Sequence, residues 1–184
     1  MKDDSLLGYA LLGLLHQEPL SGYDLRKIFA TTALGSFSDS PGAIYPALRR
    51  LEARAWVRGT VQASTSLRQR RVYRPTTAGR TALQAWLARP VTRDDVVRGA
   101  GTLMLRFAFI ERTLGPQGAA GFLRALAREL SEYIPGLKAN LAAHGRAMPR
   151  SGRLALECGI QEYEVRLRWA QRSAALYARK RKQP

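Results

Sequence analysis

The sequence predicts a mostly α-helical protein, with a short β-hairpin in its first half and long helices in its second. Three observations carry that reading. Apolar residues recur at spacings of three and four through most of the 184-residue chain. This pattern gives way to partial alternation only around residues 57–63 and 72–74. Prolines and small hydroxyl residues stand where helices would start or stop, at Pro19, Ser21, Ser40-Pro41, Thr76, Pro90 and Pro116.

Leu6, Leu7, Ala10, Leu11, Leu14 and Leu15 form one face of a first helix, which Pro19 ends because the residue before a proline avoids helical geometry. Ser21 stands as an N-cap, with Asp24 three residues on to complete a capping box. Tyr23, Leu25, Ile28 and Phe29 supply the apolar side of that second helix, with Tyr23 assigned to packing. Residues 31–39 read as a loop. Ser40-Pro41 then opens a third helix with a hydroxyl cap and a proline at the first helical position. Its apolar stripe is Ile44, Ala47, Leu48 and Leu51, and Arg49, Arg50, Glu52 and Arg54 fall largely off it. A two-stranded hairpin with a polar, basic loop at 64–71 follows. Thr76 or Thr77 caps a fourth helix through Leu83, Trp86 and Leu87.

Three helices, a two-stranded wing and a fourth helix, in that order within residues 1–90, describe a winged helix-turn-helix domain. Residues 91–101 read as a linker into a second domain, 91–184, built from long helices. Within it, 103–112 is a short apolar helix. Pro116 starts a longer one along Leu123, Leu126, Leu130, Tyr133, Leu137 and Leu141, with a kink expected at Pro135. In the last helix Leu156, Ile160, Tyr163, Leu167, Ala170 and Ala174 alternate steps of four and three, the seam of a coiled coil. That seam wants a partner helix. A second copy of the chain would make 91–184 a dimerisation domain; the alternative is an intrachain hairpin with the helix at 123–141.

Thirty Lys and Arg against fourteen Asp and Glu give a formal net charge of +16, which points to a polyanion, double-stranded nucleic acid first. An arginine-rich composition also arises in high-GC genomes without a functional cause. The one cysteine, Cys158, excludes an intramolecular disulfide and a cysteine-cluster zinc site, and is read as a small buried residue. His16 and His144 are far apart, and neither a phosphate-cradling glycine loop nor metal-ligand spacing is recognisable. The expectation is therefore a protein that is not an enzyme, with no cofactor and no metal. No cationic leader opens the chain, and the most apolar stretch, 102–110, is interrupted by Arg106, so a cytoplasmic protein without membrane contact is expected.

Three segments go further: LLGLLHQEPLSGYDL at 11–25, SPGAIYPALRRLE at 40–52 and RVYRPTTAGR at 71–80. In order and spacing they resemble the PadR family of transcriptional regulators, over about half of the chain. The helical remainder looks like that family's long C-terminal subgroup. The resemblance implies a homodimeric repressor that binds an inverted-repeat operator and responds to a small molecule or stress signal. It also suggests a small apolar effector held between subunits, where Trp86 and Trp169 are candidates.

The chemistry of the residues agrees. A third helix laid in the major groove offers Ser40 to a phosphate and Tyr45 to a phosphate or thymine methyl. Arg49 suits bidentate guanine recognition and Arg50 a phosphate. Arg68, Arg70 and Arg71 on the wing would meet backbone or minor groove. The bland alternatives are Arg49 and Arg50 as a solvated face paired with Glu52, and Tyr45 as a core tyrosine on the dimer-facing side. The rival function is a winged-helix protein–protein interaction module without sequence-specific DNA binding. Two departures from the family pattern stand out: the wing has no glycine-rich turn, and Ala55 occupies the place before Trp56 where glycine is usual.

Overall fold

The computed structural model describes residues 5–37, 41–62 and 70–179. Ser40, Arg68 and the basic tail from Lys180 lie outside the described residues. The chain divides into two compact units, 1–87 and 88–184.

The first unit runs α1 (Leu6–Gln17), β1 (Leu20–Ser21), α2 (Gly22–Thr31), a 3-10 turn (Ala33–Ser36), α3 (Pro41–Ala53), β2 (Val57–Gln62), β3 (Arg70–Pro75) and α4 (Thr77–Leu87). α1 is apolar nearly all round and buried from Leu7 to Leu15, so the unit is built about it. Leu11, Leu12 and Leu15 of α1, Leu25 and Phe29 of α2, Ile44 and Leu48 of α3, and Leu83 and Leu87 of α4 are all fully buried, with α1 packed on α3 and α4 and α2 on α3. Each fully buried side chain of this size stabilises the fold by roughly 1.5–3 kcal/mol. The core closes with Tyr9, whose ring stacks on Trp86 at 4.4 Å and tilts towards Trp56 at 6.3 Å.

Two features differ from the expected wing and loop. The sheet has three strands in the order β1-β3-β2, because Leu20 and Ser21 pair antiparallel with Tyr73 and Val72. A two-residue strand has no readable alternation, and its pairing is visible only in three dimensions. The segment after α2 is a helical turn in which Thr32 accepts from the Leu34 N–H, where the sequence suggested only a loop.

α3 keeps helical form although Pro46 has no N–H to give to the carbonyl four residues back. The burial of Ile44, Ala47, Leu48 and Leu51 outweighs that loss. The helix ends in a Schellman arrangement: the Trp56 N–H donates to Leu51 O and the Ala55 N–H to Glu52 O, both at 2.9 Å. Ala55 therefore sits at a left-handed φ of 55°, the position at which the sequence lacks the usual glycine. Next to it, Thr76 caps α4 by accepting from the Gly79 N–H at 3.1 Å while donating to Ala55 O at 2.6 Å. Gly79 is obligatory there, because a Cβ would enter the Trp56 carbonyl.

The second unit holds α5 (Arg93–Arg98), α6 (Ala100–His144) and α7 (Arg150–Arg179). α5 replaces most of the expected linker. Its start is a full capping box, Thr92 accepting from the Asp95 N–H and Asp95 from the Thr92 N–H. α6 is interrupted at Gly115, φ 73° and ψ 177°, immediately before Pro116, which divides it where the sequence divides it. The expected kink at Pro135 does not appear as a break: Gly115 is the residue with non-helical backbone inside α6.

α7 packs against both parts of α6, folding back on the part after Pro116 and lying beside the part before Gly115. Tyr163 meets Tyr133 edge-on at 5.2 Å, Trp169 meets Phe107 at 5.3 Å, and the Tyr177 hydroxyl donates to Glu111 at 2.7 Å. Ile160 and Ala170 of the heptad seam are buried by this packing, inside the chain and not against a second copy. Leu156, Tyr163, Leu167 and Ala174 of the same seam remain partly exposed. Cys158 is exposed, contrary to expectation. It lies two residues from both Leu156 and Ile160, hence about 200° round the helix from each.

Candidate nucleic-acid interface

Tyr45, Arg49 and Glu52 stand at i, i+4 and i+7 on α3, one stripe beside the buried one. Tyr45 is 41% exposed, outside the core of the first unit. The ring lies across the N-terminus of α2, where a Cβ on Gly22 would collide with it. Arg49 and Arg50 are both exposed. Arg50, one residue on, points about 100° further round the helix, so the two guanidinium groups address different directions.

Glu52 is not the partner of Arg49 or Arg50. Its Oε1 accepts from Arg71 at 2.7 Å and from the Gly59 N–H at 3.1 Å, which ties α3 to both long strands. Arg71 also lies 5.5 Å from the centroid of the Tyr73 ring. Gly59 makes that path possible, because a Cβ there would strike the Arg71 side chain. Arg70, the neighbour on β3, pairs with Asp24 of α2. Asp24 already accepts from the Ser21 N–H at 2.9 Å and from its hydroxyl at 2.7 Å, the capping box that the sequence announced. Burial alone would raise the Asp24 carboxyl, but the Ser21 hydrogen bonds and Arg70 outweigh it and hold it below its ordinary value. Burial pushes the Tyr73 phenol up, against the opposing pull of Arg71; Glu52 and Tyr45 add to the rise and Arg49 opposes it.

The structure thus gathers Tyr45, Arg49, Arg71, Glu52 and Tyr73 about the junction of α3 with the wing, with Arg70 and Asp24 at the start of α2. Sequence reasoning missed three participants. Asp24 and Glu52 read as a cap and a solvated charge, and their partners are 46 and 19 residues away. Tyr23, assigned to packing, is 62% exposed with Arg26 5.5 Å from its ring centroid. It occupies the first turn of α2, where the side chain projects beyond the core that Leu25 and Phe29 fill.

Trp86 is not available to line an effector cavity, being 4% exposed and stacked on Tyr9. Among the described residues no group of three or more His, Cys, Asp or Glu could hold a metal ion, and no helix is long and apolar enough to cross a membrane.

Comparison with known proteins finds relatives over part of the chain. Residues 11–85 match the family model described as "Transcriptional regulator PadR-like family". "Negative transcriptional regulator PadR" of Bacillus subtilis is 36% identical over 108 residues, 57% of each chain. "Probable transcriptional regulator Rv1176c" of Mycobacterium tuberculosis is 30% identical over 94 residues, 51% of this chain and 50% of that one. The chain spans about half the length of these curated relatives. Among solved structures, Bacillus subtilis PadR in complex with operator DNA aligns over 96% of this chain and 98% of its own, at 23% identity and a TM-score of 0.45. Residues 11–85 of this chain are thus similar to the PadR-like transcriptional regulator family.

Proposed function

We propose that the chain is a sequence-specific regulator of transcription that binds double-stranded DNA through α3 and the wing, as a homodimeric repressor. The observation that carries this is the outer stripe of α3. Tyr45 and Arg49 stand exposed one turn apart, over a fully buried inner stripe that fixes the helix rigidly. A helix so arranged can enter a major groove and place a guanidinium fork against guanine O6 and N7. Arg50 serves a flanking phosphate, and Ser40 stands before the helix N-terminus, where free N–H groups favour an anion. Arg68, Arg70 and Arg71 bring the wing against the backbone. A protein-docking winged helix would present apolar surface in place of Tyr45, Arg49 and Arg50. The repressor reading is supported by the name of the Bacillus subtilis relative.

The homodimer is supported by α7. Leu154, Val165 and Leu176 are exposed on it at spacings of eleven residues, which keeps them on nearly one line of the helix. That line falls opposite Ile160 and Ala170, which α6 already covers. Two copies joined along it would present two α3 helices to an inverted repeat.

The test is binding to a labelled duplex of the protein's own upstream region and to a scrambled duplex, at 50 and 200 mM salt, with Arg49→Ala beside wild type. Preference for the native duplex that Arg49→Ala abolishes supports the proposal. Equal binding of both duplexes by wild type at either salt overturns sequence-specific recognition of that region. Absence of binding at 50 mM salt overturns the DNA reading.

A further inference from the structure

Two adjacent wing arginines are each held by a carboxylate from a different helix. Arg71 reaches Glu52 on α3 across Gly59, and Arg70 reaches Asp24 on α2. The first pair is a constructed site. Glu52 Oε1 receives two donors, Arg71 and the Gly59 N–H; the guanidinium lies beside Tyr73; and the missing Cβ of Gly59 leaves the space that the Arg71 side chain occupies. Gly59 has an ordinary strand φ, so the glycine is there for that space and not for a turn. Both arginine side chains nevertheless keep about half of their surface exposed, 54% for Arg70 and 52% for Arg71.

An arginine matched by a carboxylate brings donors to DNA but no net charge. Indiscriminate attraction for the duplex comes from net cations that displace counterions from phosphates, whereas base readout comes from placed donors. Arg49 is different: among the described residues it is in no ion pair. The interface therefore separates a free recognition cation from two compensated arginines that fix the angle of the wing.

We propose that Glu52 and Asp24 are specificity-determining residues, which neutralise Arg71 and Arg70 so that the wing orients the domain without adding to non-specific DNA affinity. The proposal rests on the DNA-binding reading above. Removing either carboxylate charge frees one cation, and each freed cation that meets a phosphate of B-DNA steepens the salt dependence by about 0.9 in log–log slope. Over a fourfold change in salt that is roughly a threefold to fourfold extra loss of affinity.

The experiment measures Kd for native and scrambled duplexes from 50 to 200 mM salt for wild type, Glu52→Gln, Asp24→Asn, Glu52→Asp and Gly59→Ala, with thermal midpoints alongside. Glu52→Gln and Asp24→Asn are expected to bind scrambled DNA several-fold tighter at 50 mM salt, with a steeper slope and a smaller native-to-scrambled ratio. Glu52→Asp, which keeps the charge, restores the wild-type slope. Gly59→Ala keeps both charges but displaces Arg71, and behaves as Glu52→Gln does. A lower thermal midpoint in Glu52→Gln and Asp24→Asn with unchanged slope and ratio, or weaker binding to both duplexes, overturns the proposal and leaves the carboxylates merely structural. If wild type itself binds neither duplex, the DNA reading fails and this inference falls with it.

Discussion

Ala55 shows how far single residues can be read. The sequence marks the place as anomalous, since an alanine stands where a helix-ending glycine is usual, and the structure gives the cause: a C′ position at φ 55°. The left-handed conformation costs an L-residue with a Cβ roughly 1–2 kcal/mol, part of which is offset by the greater freedom of glycine in the unfolded chain. Ala55→Gly is expected to raise stability by about 0.5–1 kcal/mol, seen as a higher denaturant midpoint at unchanged m-value. A fall in the midpoint would show that the left-handed alanine carries no strain. Tyr23 and Cys158 were harder to place from sequence. Tyr23 precedes Leu25 by two positions in the first turn of α2, and Cys158 stands two positions from seam residues on either side. In a helix that offset points away from the core.

At the scale of elements, caps were the most legible signals. Ser21–Asp24 is local, spans three residues and uses side chains that have few other roles. Gly115-Pro116 was legible for a similar reason, because proline constrains its predecessor. Pro135 differs from Pro116 in that the backbone about it keeps helical φ/ψ. β1 and α5 escaped because two and six residues hold too little periodicity. Arg106 was visible as an interruption in an apolar run, but its role was not. It is 2% exposed, lies 5.3 Å from the centroid of the Phe122 ring, and donates to the carbonyls of Arg89 and Pro90. Arg106→Met fills the volume but leaves those carbonyls unmet, and is expected to cost about 1–3 kcal/mol in chemical denaturation. An unchanged midpoint would mean that water replaces the guanidinium. Asp24 adds a pH dependence of definite sign. Its carboxyl is held below its ordinary value, so its contribution to stability is present above the unfolded-state pKa of about 4 and is lost as pH falls through the lower, folded value. Wild type should lose stability relative to Asp24→Asn as the solution is acidified below about pH 4. Parallel curves for the two proteins would remove the carboxylate from the account.

On the scale of the whole molecule, α7 has two apolar lines and the sequence distinguished only one. The heptad seam is the stronger pattern, yet Ile160 and Ala170 on it are consumed by α6 within the chain. The weaker line, Leu154, Val165 and Leu176, is the exposed one, since steps of eleven do not stand out beside steps of three and four. The two lines make separable predictions. Val165 is 55% exposed, so Val165→Glu should leave the stability of the folded chain within about 0.5 kcal/mol. In the proposed dimer the same change buries a carboxylate against apolar surface, and sedimentation at micromolar protein should show monomer. DNA affinity should then fall by a factor of a hundred or more, because the second half-site no longer benefits from the first, a gain on the order of 10²–10⁴. Ile160→Glu is the contrasting variant: it should loosen the α6–α7 hairpin itself and lower the thermal midpoint. If Val165→Glu sediments as a dimer and binds operator as wild type does, the exposed line is not the interface. The partly exposed seam residues Leu156, Tyr163, Leu167 and Ala174 would then be the next surface to charge.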